Sequence, residues 1–385
     1  MTTCVGVRRV TLPPAPASSL IADLEAALDL PQTSLIVTFF SSTIDRETLG
    51  VAVRSRLGET PVIGCTSAGE IGPEGFSSGG LTAFALPTEG FRTAVMSIPD
   101  VGNFSVTRAA EVVQALQDSL PDDAPPATRA NSFVLLLIDG LSRCEEPVAS
   151  ALDAALGGIP LFGGSAGDGL EFASTGVLAN GQVTAGSAVV ALIQTDFEFE
   201  VFKTQHVVPT PDKLVVTAAD PERRVVSELN GEVALREYAR VIGVDPETIT
   251  PAHFAANPVV VRIGGADYVR SIQKAEPDGS LTFLCAIDEG LVLTLARVED
   301  LEGALDETLT GLEQRLGEPQ LVIACDCILR RLEIERHGLG PAVGERLARF
   351  NVVGFSTYGE QIGGLHVNQT MTGVAIGKRP LRNVE

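Results

Sequence analysis

The apolar positions of this chain fall into short continuous runs, separated by stretches that carry a helical stripe. SLIVTFF (34–40), SFVLLLID (132–139) and QLVIACDC (320–327) are apolar and β-branched over strand length, the pattern of strands buried on both faces. After the first run, DRETLGVAVRSRLG places Leu49, Ala52, Val53 and Leu57 on one helical face, and Gly58 follows as a stop. After the second, EEPVASALDAAL reads as a helix ended by Gly157 and Gly158. After the third, a helix begins near Pro341, a residue suited to a first helical turn, and carries Val343, Leu347 and Phe350. Each helix leads into a short strand: PVIG, PLFG or VVG.

Each short strand runs into a glycine-framed, hydroxyl-rich phrase. These are GCTSAGEIG (64–72), GGSAGDG (163–169) and GFSTYGEQIG (354–363). Leu35 precedes Gly64 by 29 residues, Val134 precedes Gly163 by 29, and Leu321 precedes Gly354 by 33. Downstream, Gly64 lies 17 residues before Leu81 of LTAFAL, and Gly354 lies 17 residues before Met371 of MTGVAIG. SAVVALI (187–193) follows the second phrase at a slightly longer distance. The pattern predicts an α/β (α+β mixed) fold of two related halves, built from repeated strand–helix–strand–turn–strand units. The second half adds a strand-rich segment. Residues 213–230 read as a hairpin, 232–244 as an amphipathic helix, and PVVVRIGG, YVRSIQ, SLTFLCAI and GLVLTLAR as successive strands before a helix at 300–316. The predicted organisation is a lead-in at 1–30, a first domain at 31–225 and a second at 226–380, with the boundary around VVPTPDK.

Length and charge narrow the classes. A chain of 385 residues exceeds one ordinary core, in keeping with duplication. A net charge of −21 argues against nucleic acid and an anionic membrane surface as partners, since both favour a basic surface. The first twenty residues hold no apolar signal-peptide core, and no run approaches membrane-span length. The six cysteines, Cys4, Cys65, Cys144, Cys285, Cys325 and Cys327, form no CxxC pair, which fits a reducing cytoplasm.

The phrases carry the candidate chemistry. Their glycines admit close backbone approach, their hydroxyls donate or accept, and Glu70 and Glu360 offer a carboxylate to an ammonium group. Together these suit a zwitterion such as an amino acid. The alternative is a tight turn capping a buried strand with the acid solvated. Asp168 stands as the acid of the middle phrase, which is one residue shorter. Arg262, Arg270 and Arg330, on predicted strands or their ends, are candidates to hold a carboxylate. GGSAG formally matches a nucleophile elbow at Ser165, but the other two phrases break that pattern, so a serine hydrolase is the lesser reading and no catalytic constellation is assigned. CDC at 325–327 lacks metal-site spacing and reads as buried thiol.

PVIGCTSAGEIG, then NGEVALREYARVIG, YVRSIQKAEPDGSLTF, CDCILRRLE and VVGFSTYGEQIG…HVNQTMTGVAIG, in that order, resemble the FIST N- and C-terminal sensory modules over residues 33–377. The resemblance implies a cytoplasmic input protein that binds a small ligand, amino acids being the expected class. It also implies relay to a separate histidine kinase, chemoreceptor or cyclic-dinucleotide enzyme, because the chain ends soon after the second half. The candidate ligand-binding set is Cys65, Thr66, Ser67, Glu70, Arg270, Arg330, Ser356, Thr357, Tyr358, Glu360, His366 and Asn368. No cofactor is required. The alternative that the resemblance carries is a haem-binding nitric oxide sensor, with His366 of LHVNQT as axial ligand.

Overall fold

In the computed structural model the described residues are 6–28 and 32–381; Cys4 lies outside them. The chain divides into two compact units. One holds residues 1–203, 306–365 and 371–385, and the other holds 204–305 and 366–370.

The first unit is a threefold repeat. Its first copy runs β1 (Arg8–Leu12), α1 (Ala17–Leu28), β2 (Thr33–Ser41), α2 (Arg46–Arg56), β3 (Val62–Ser67), β4 (Glu70–Gly72), β5 (Gly75–Ser77) and β6 (Leu81–Pro87). The stretch ahead of residue 31 thus supplies a strand and a helix of that copy. The second copy runs β7 (Phe91–Ile98), α3 (Val106–Asp118), β8 (Ser132–Ile138), α4 (Glu145–Leu156), β9 (Leu161–Ser165), β10 (Val177–Ala179), β11 (Gln182–Thr184) and β12 (Ala188–Thr195). The third opens with β13 (Phe197–Gln205) and is then interrupted by the second unit.

The second unit contributes β14 (Val207–Asp220), β15 (Val225–Leu229), β16 (Glu232–Val233), α5 (Ala234–Ile242), α6 (Pro251–Ala256), β17 (Val259–Ile263), β18 (Ala266–Arg270), β19 (Ile272–Ala275), β20 (Leu281–Phe283) and β21 (Val292–Val298). YVRSIQ, read as one strand, breaks at Ser271. The strand order β18-β17-β21-β14-β15-β20-β19 starts and ends on strands adjacent in sequence, so this sheet nearly closes on itself. Leu214, Val216, Val226, Leu229, Tyr238 and Phe283 fill it.

The third copy resumes with α7 (Leu301–Leu316), β22 (Leu321–Cys327), α8 (Ile328–Arg336), α9 (Gly340–Arg349), β23 (Val352–Thr357), β24 (Glu360–Ile362), β25 (Leu365–Val367) and β26 (Thr370–Pro380). The sequence reading missed α8. Arg330 therefore lies on a helix, not on a strand or its end, because the chain turns helical directly after Cys327.

The three copies form equivalent six-stranded sheets: β1-β6-β2-β3-β10-β11, β7-β12-β8-β9-β24-β25 and β13-β26-β22-β23-β4-β5. Each centre is a parallel pair flanked by an antiparallel return strand. LTAFAL and MTGVAIG occupy the same place in their sheets, as their shared spacing requires. One face of all three sheets meets in a single core that includes Phe39, Phe84, Phe133, Phe162, Ile323 and Phe355. The opposite faces of the first two sheets are covered by α1 and α2, and by α3 and α4.

The last two strands of each sheet come from another copy. After its hydroxyl turn each copy crosses over, so β4 pairs with β23, β24 with β9, and β10 with β3. The framing glycines follow from the parallel pairs. A Cβ at Gly64, Gly163 or Gly354 would sit 2.0, 2.1 or 1.8 Å from the carbonyl oxygen of Thr38, Leu136 or Ala324, closer than any real contact.

Candidate functional site

The three hydroxyl turns close a ring of backbone hydrogen bonds. Ala68 N–H donates to Ser356 O at 2.9 Å, Tyr358 N–H to Ser165 O at 3.2 Å, and Gly167 N–H to Thr66 O at 3.0 Å. A second ring runs the opposite way, from Thr66 N–H to Gly176 O, Ser356 N–H to Gly69 O and Ser165 N–H to Gly359 O. The phrase is written three times because each copy satisfies the buried backbone groups of another.

Register fixes the equivalent positions. Glu70 pairs with Phe355, Glu360 with Gly164 and Val177 with Cys65. The counterpart of the two glutamates is therefore Val177, not Asp168, because the second turn is eight residues longer before it re-enters a sheet. Asp168 organises that longer turn. Its carboxylate accepts the N–H groups of Phe172 at 3.0 Å, Ala173 at 2.9 Å and Ser174 at 2.6 Å, together with the Tyr358 hydroxyl. Burial pushes its pKa up, but these donors outweigh burial and hold it below the ordinary carboxylate value. Tyr358 is spent on this contact and stacks on Phe172 with centroids 4.3 Å apart.

The acids are not solvated, as the tight-turn alternative supposed. Glu70 and Glu360 are both fully buried. Each accepts a hydroxyl three residues back, Glu70 from Ser67 at 2.5 Å and Glu360 from Thr357. Burial raises the Glu70 pKa to about 7, against the pull of the Ser67 hydroxyl, the Gly80 backbone and the Arg331 charge.

Around Glu70 the threefold pattern breaks. Of the three equivalent hydroxyls, Thr66 accepts Gly176 N–H at 3.1 Å and Ser165 accepts the Gln361 amide at 3.0 Å. Ser356 Oγ, also buried, has no partner among the described residues. Neither have Glu70 Oε2, Ser77 Oγ and Arg331 Nη1. Two of these atoms, Arg331 Nη1 and Ser356 Oγ, lie beside Gly69, whose φ of +135° favours glycine. A Cβ built there would lie 3.4 Å from Arg331 Nη1 and 3.6 Å from Ser356 Oγ. Ser77 is the cross-strand partner of Glu70. Arg331 is held by Glu335 at 2.6 Å and by the Phe76 ring, its guanidinium carbon 4.4 Å from the ring centroid. Sequence reasoning passed over Arg331 and Ser77; the RR pair at 330–331 was the available signal.

The other predicted residues separate from this cluster. Cys65 is buried in the central core, where burial drives its thiol pKa up. Arg330 pairs with Asp326 at 2.6 Å, both fully buried. Asp326 occupies the register position that Phe40 and Ile138 hold in the other sheets, so the third sheet carries an ion pair where the others carry apolar packing. Arg262 is spent on Asp267 at 2.7 Å, at the exposed end of β17. Arg270, His366 and Asn368 come together in the second unit. Arg270 Nη1 donates to His366 O, and Asn368 Oδ1 accepts Ser271 N–H at 3.3 Å. Ser165, the formal nucleophile, is fully buried, which denies it the exposure an elbow needs.

No helix among the described residues is long and apolar enough to cross a membrane. Comparison with curated proteins returned no match. Two family models do match, the FIST N domain over residues 34–232 and the FIST C domain over 234–363. Between them they cover most of the chain, including the three hydroxyl turns, and the chain belongs to the FIST family.

Proposed function

We propose that this protein is a sensory input module whose ligand is a small amino-acid-like zwitterion, bound at Gly69. FIST domains are sensory domains of signal transduction that bind small ligands. The observation that carries the finer reading is a set of buried polar atoms without partners among the described residues: Arg331 Nη1 and Ser356 Oγ beside Gly69, Glu70 Oε2 on the next residue, and Ser77 Oγ across the strand pair from Glu70. Buried polar groups without partners are costly, and a ligand bearing both charges meets them at once. In this reading Arg331 takes the ligand carboxylate, Glu70 takes the ammonium, and Ser77 and Ser356 fix its orientation. Because Glu70 and Ser356 come from different repeats, an occupied site bridges two crossed-over turns, and this coupling is the signal passed to a separate kinase, chemoreceptor or cyclic-dinucleotide enzyme in the cytoplasm.

Haem does not fit the residues at His366. Arg270 donates to the His366 backbone carbonyl, and the buried Ser271, Asn368 and Gln369 of the same unit carry further hydrogen-bonding atoms, a polar setting that favours a hydrogen-bonding ligand over a porphyrin. Calorimetric titration of a panel of amino acids into the wild type, Glu70→Gln and Arg331→Met tests the Gly69 site. Binding by the wild type that falls at least tenfold in both variants supports it. Equal affinity in all three refutes it.

A further inference from the structure

The second unit contains a buried cation with no counter-ion among the described residues. Arg270 is only 9% exposed, yet no carboxylate among the described residues lies within ion-pair distance of it. The contrast is with Arg330, equally enclosed but facing Asp326. Taking a lone guanidinium out of water is expensive, and buried charges are ordinarily paired. Among the described residues its hydrogen bond is to a neutral group: Nη1 donates to the His366 carbonyl. Its Nε–H is buried and unmet.

Three further side chains of the same unit leave polar atoms unmet among the described residues. Ser271 Oγ is buried without a partner. Asn368 is oriented by its Oδ1, which accepts Ser271 N–H, so its Nδ2 points donors away from that bond, and Nδ2 is unmet. Gln369 is oriented the other way. Its Nε2 donates to Ala255 O at 3.0 Å, which leaves Oε1 buried and unmet. These atoms belong to two dipeptides, Arg270–Ser271 at the break between β18 and β19, and Asn368–Gln369 in the turn between β25 and β26.

The backbone carries a second sign. Gln369 has a φ of +49°, the left-handed region that favours glycine. Register places Gly79 and Gly186 at the same position of the other two repeats, with φ of +83° and +62°. Only the third repeat holds a long side chain in that conformation, and that side chain is buried against Ala255. Strain of this kind persists where the surroundings impose it, and it gathers at ligand sites.

We propose that Arg270, Ser271, Asn368 and Gln369 form a second binding site, for a small monoanionic carboxylate. Arg270 Nε–H and Asn368 Nδ2–H donate to the carboxylate oxygens, and the Ser271 hydroxyl serves as a further donor. The site holds a single positive charge and includes an acceptor, Gln369 Oε1. That combination disfavours a dianion such as phosphate and suits a carboxylate that carries a neighbouring hydroxyl or amine. Unlike the Gly69 cluster it offers no carboxylate to an ammonium group, so the two sites differ in chemistry, and this one stands independently of the reading given above.

The test uses the whole chain, with sodium acetate, sodium glycolate and inorganic phosphate as probes at matched ionic strength in sodium chloride. Calorimetry and thermal melts are run on the wild type, Arg270→Gln, Asn368→Asp and Glu70→Gln. Asn368→Asp keeps the oxygen that accepts Ser271 N–H and supplies Arg270 with an internal counter-ion. It is expected to melt at or above the wild type while binding acetate and glycolate at least tenfold more weakly. Arg270→Gln is expected to lose the same binding, and Glu70→Gln to keep it. No acetate or glycolate binding to the wild type overturns the proposal, as does unaltered binding by Asn368→Asp. Tighter binding of phosphate than of acetate overturns the carboxylate assignment. Should Arg270→Gln or Asn368→Asp fail to fold, a wild-type crystal soaked in (methylseleno)acetate, which does not alkylate, decides: a selenium anomalous peak beside Arg270 supports the site, and its absence there refutes it.

Discussion

Replacing Glu70 with glutamine should change how stability depends on pH, in a direction fixed by burial. Glu70 is fully enclosed, and its pKa rises from an ordinary 4.5 to about 7. The folded protein therefore keeps a proton that the unfolded chain releases, and stability falls as pH rises between those two values. One pH unit of displacement corresponds to ~1.4 kcal/mol, so the ionised carboxylate costs on the order of 3 kcal/mol once the pH exceeds the folded value. Glutamine stays neutral at every pH and keeps an oxygen for the Ser67 hydroxyl. Glu70→Gln should match the wild type near pH 4 and exceed it by roughly 3 kcal/mol near pH 8. Denaturant unfolding of both proteins across that range gives the two profiles. Their difference isolates Glu70 from the other carboxylates. A difference that stays flat with pH would refute the argument that burial governs this group.

Other outcomes follow from the same geometry. A zwitterion whose ammonium ionises Glu70 should release a proton on binding near pH 6, seen as a buffer-dependent calorimetric enthalpy that Glu70→Gln lacks. Gly354→Ala places a Cβ 1.8 Å from Ala324 O and should lower the denaturant midpoint by the equivalent of ~1–3 kcal/mol or more, as should Gly64→Ala and Gly163→Ala. Tyr358→Phe removes the hydroxyl that joins Asp168 to the 168–174 loop; it should cost ~1–3 kcal/mol and speed amide exchange at Phe172 and Ser174. Asp326→Asn deprives buried Arg330 of the carboxylate it faces and should cost ~3–5 kcal/mol, with much of the loss recovered in an Asp326→Leu, Arg330→Met double variant. Cys144, half-buried, should react with maleimide in the native protein, whereas Cys65 and Cys325, enclosed and with raised thiol pKa values, should react only on unfolding.

Much of the scaffold was legible from local pattern. Buried strands show as unbroken apolar runs, helices as stripes, and the turns as glycine and hydroxyl phrases, because each of these depends on a few neighbouring residues. The repeat showed for the same reason, through constant spacing from Gly64 to Leu81 and from Gly354 to Met371. Ser67, Glu70 and Ser356 could be nominated from the phrase alone. What the pattern could not show is which copy satisfies which. Asp168 looks like the third acid when the phrases are laid side by side, yet Val177 takes that place, because equivalence is set by pairing with Cys65 more than a hundred residues away. Arg331 and Ser77 were passed over since neither is unusual in sequence; they matter because the crossing of chains leaves their polar atoms buried and unmet.

The sequence by itself determined a chain of alternating strands and helices with three glycine-framed turns, since hydrophobic period and turn chemistry are local properties. Only the tertiary structure decided that each turn is completed by another copy, and that Glu70 and Arg270 each end up enclosed with hydrogen-bonding capacity to spare. The physical reason is that the cost of a buried polar group depends on the partners that long-range packing delivers to it, and no stretch of sequence carries that information alone.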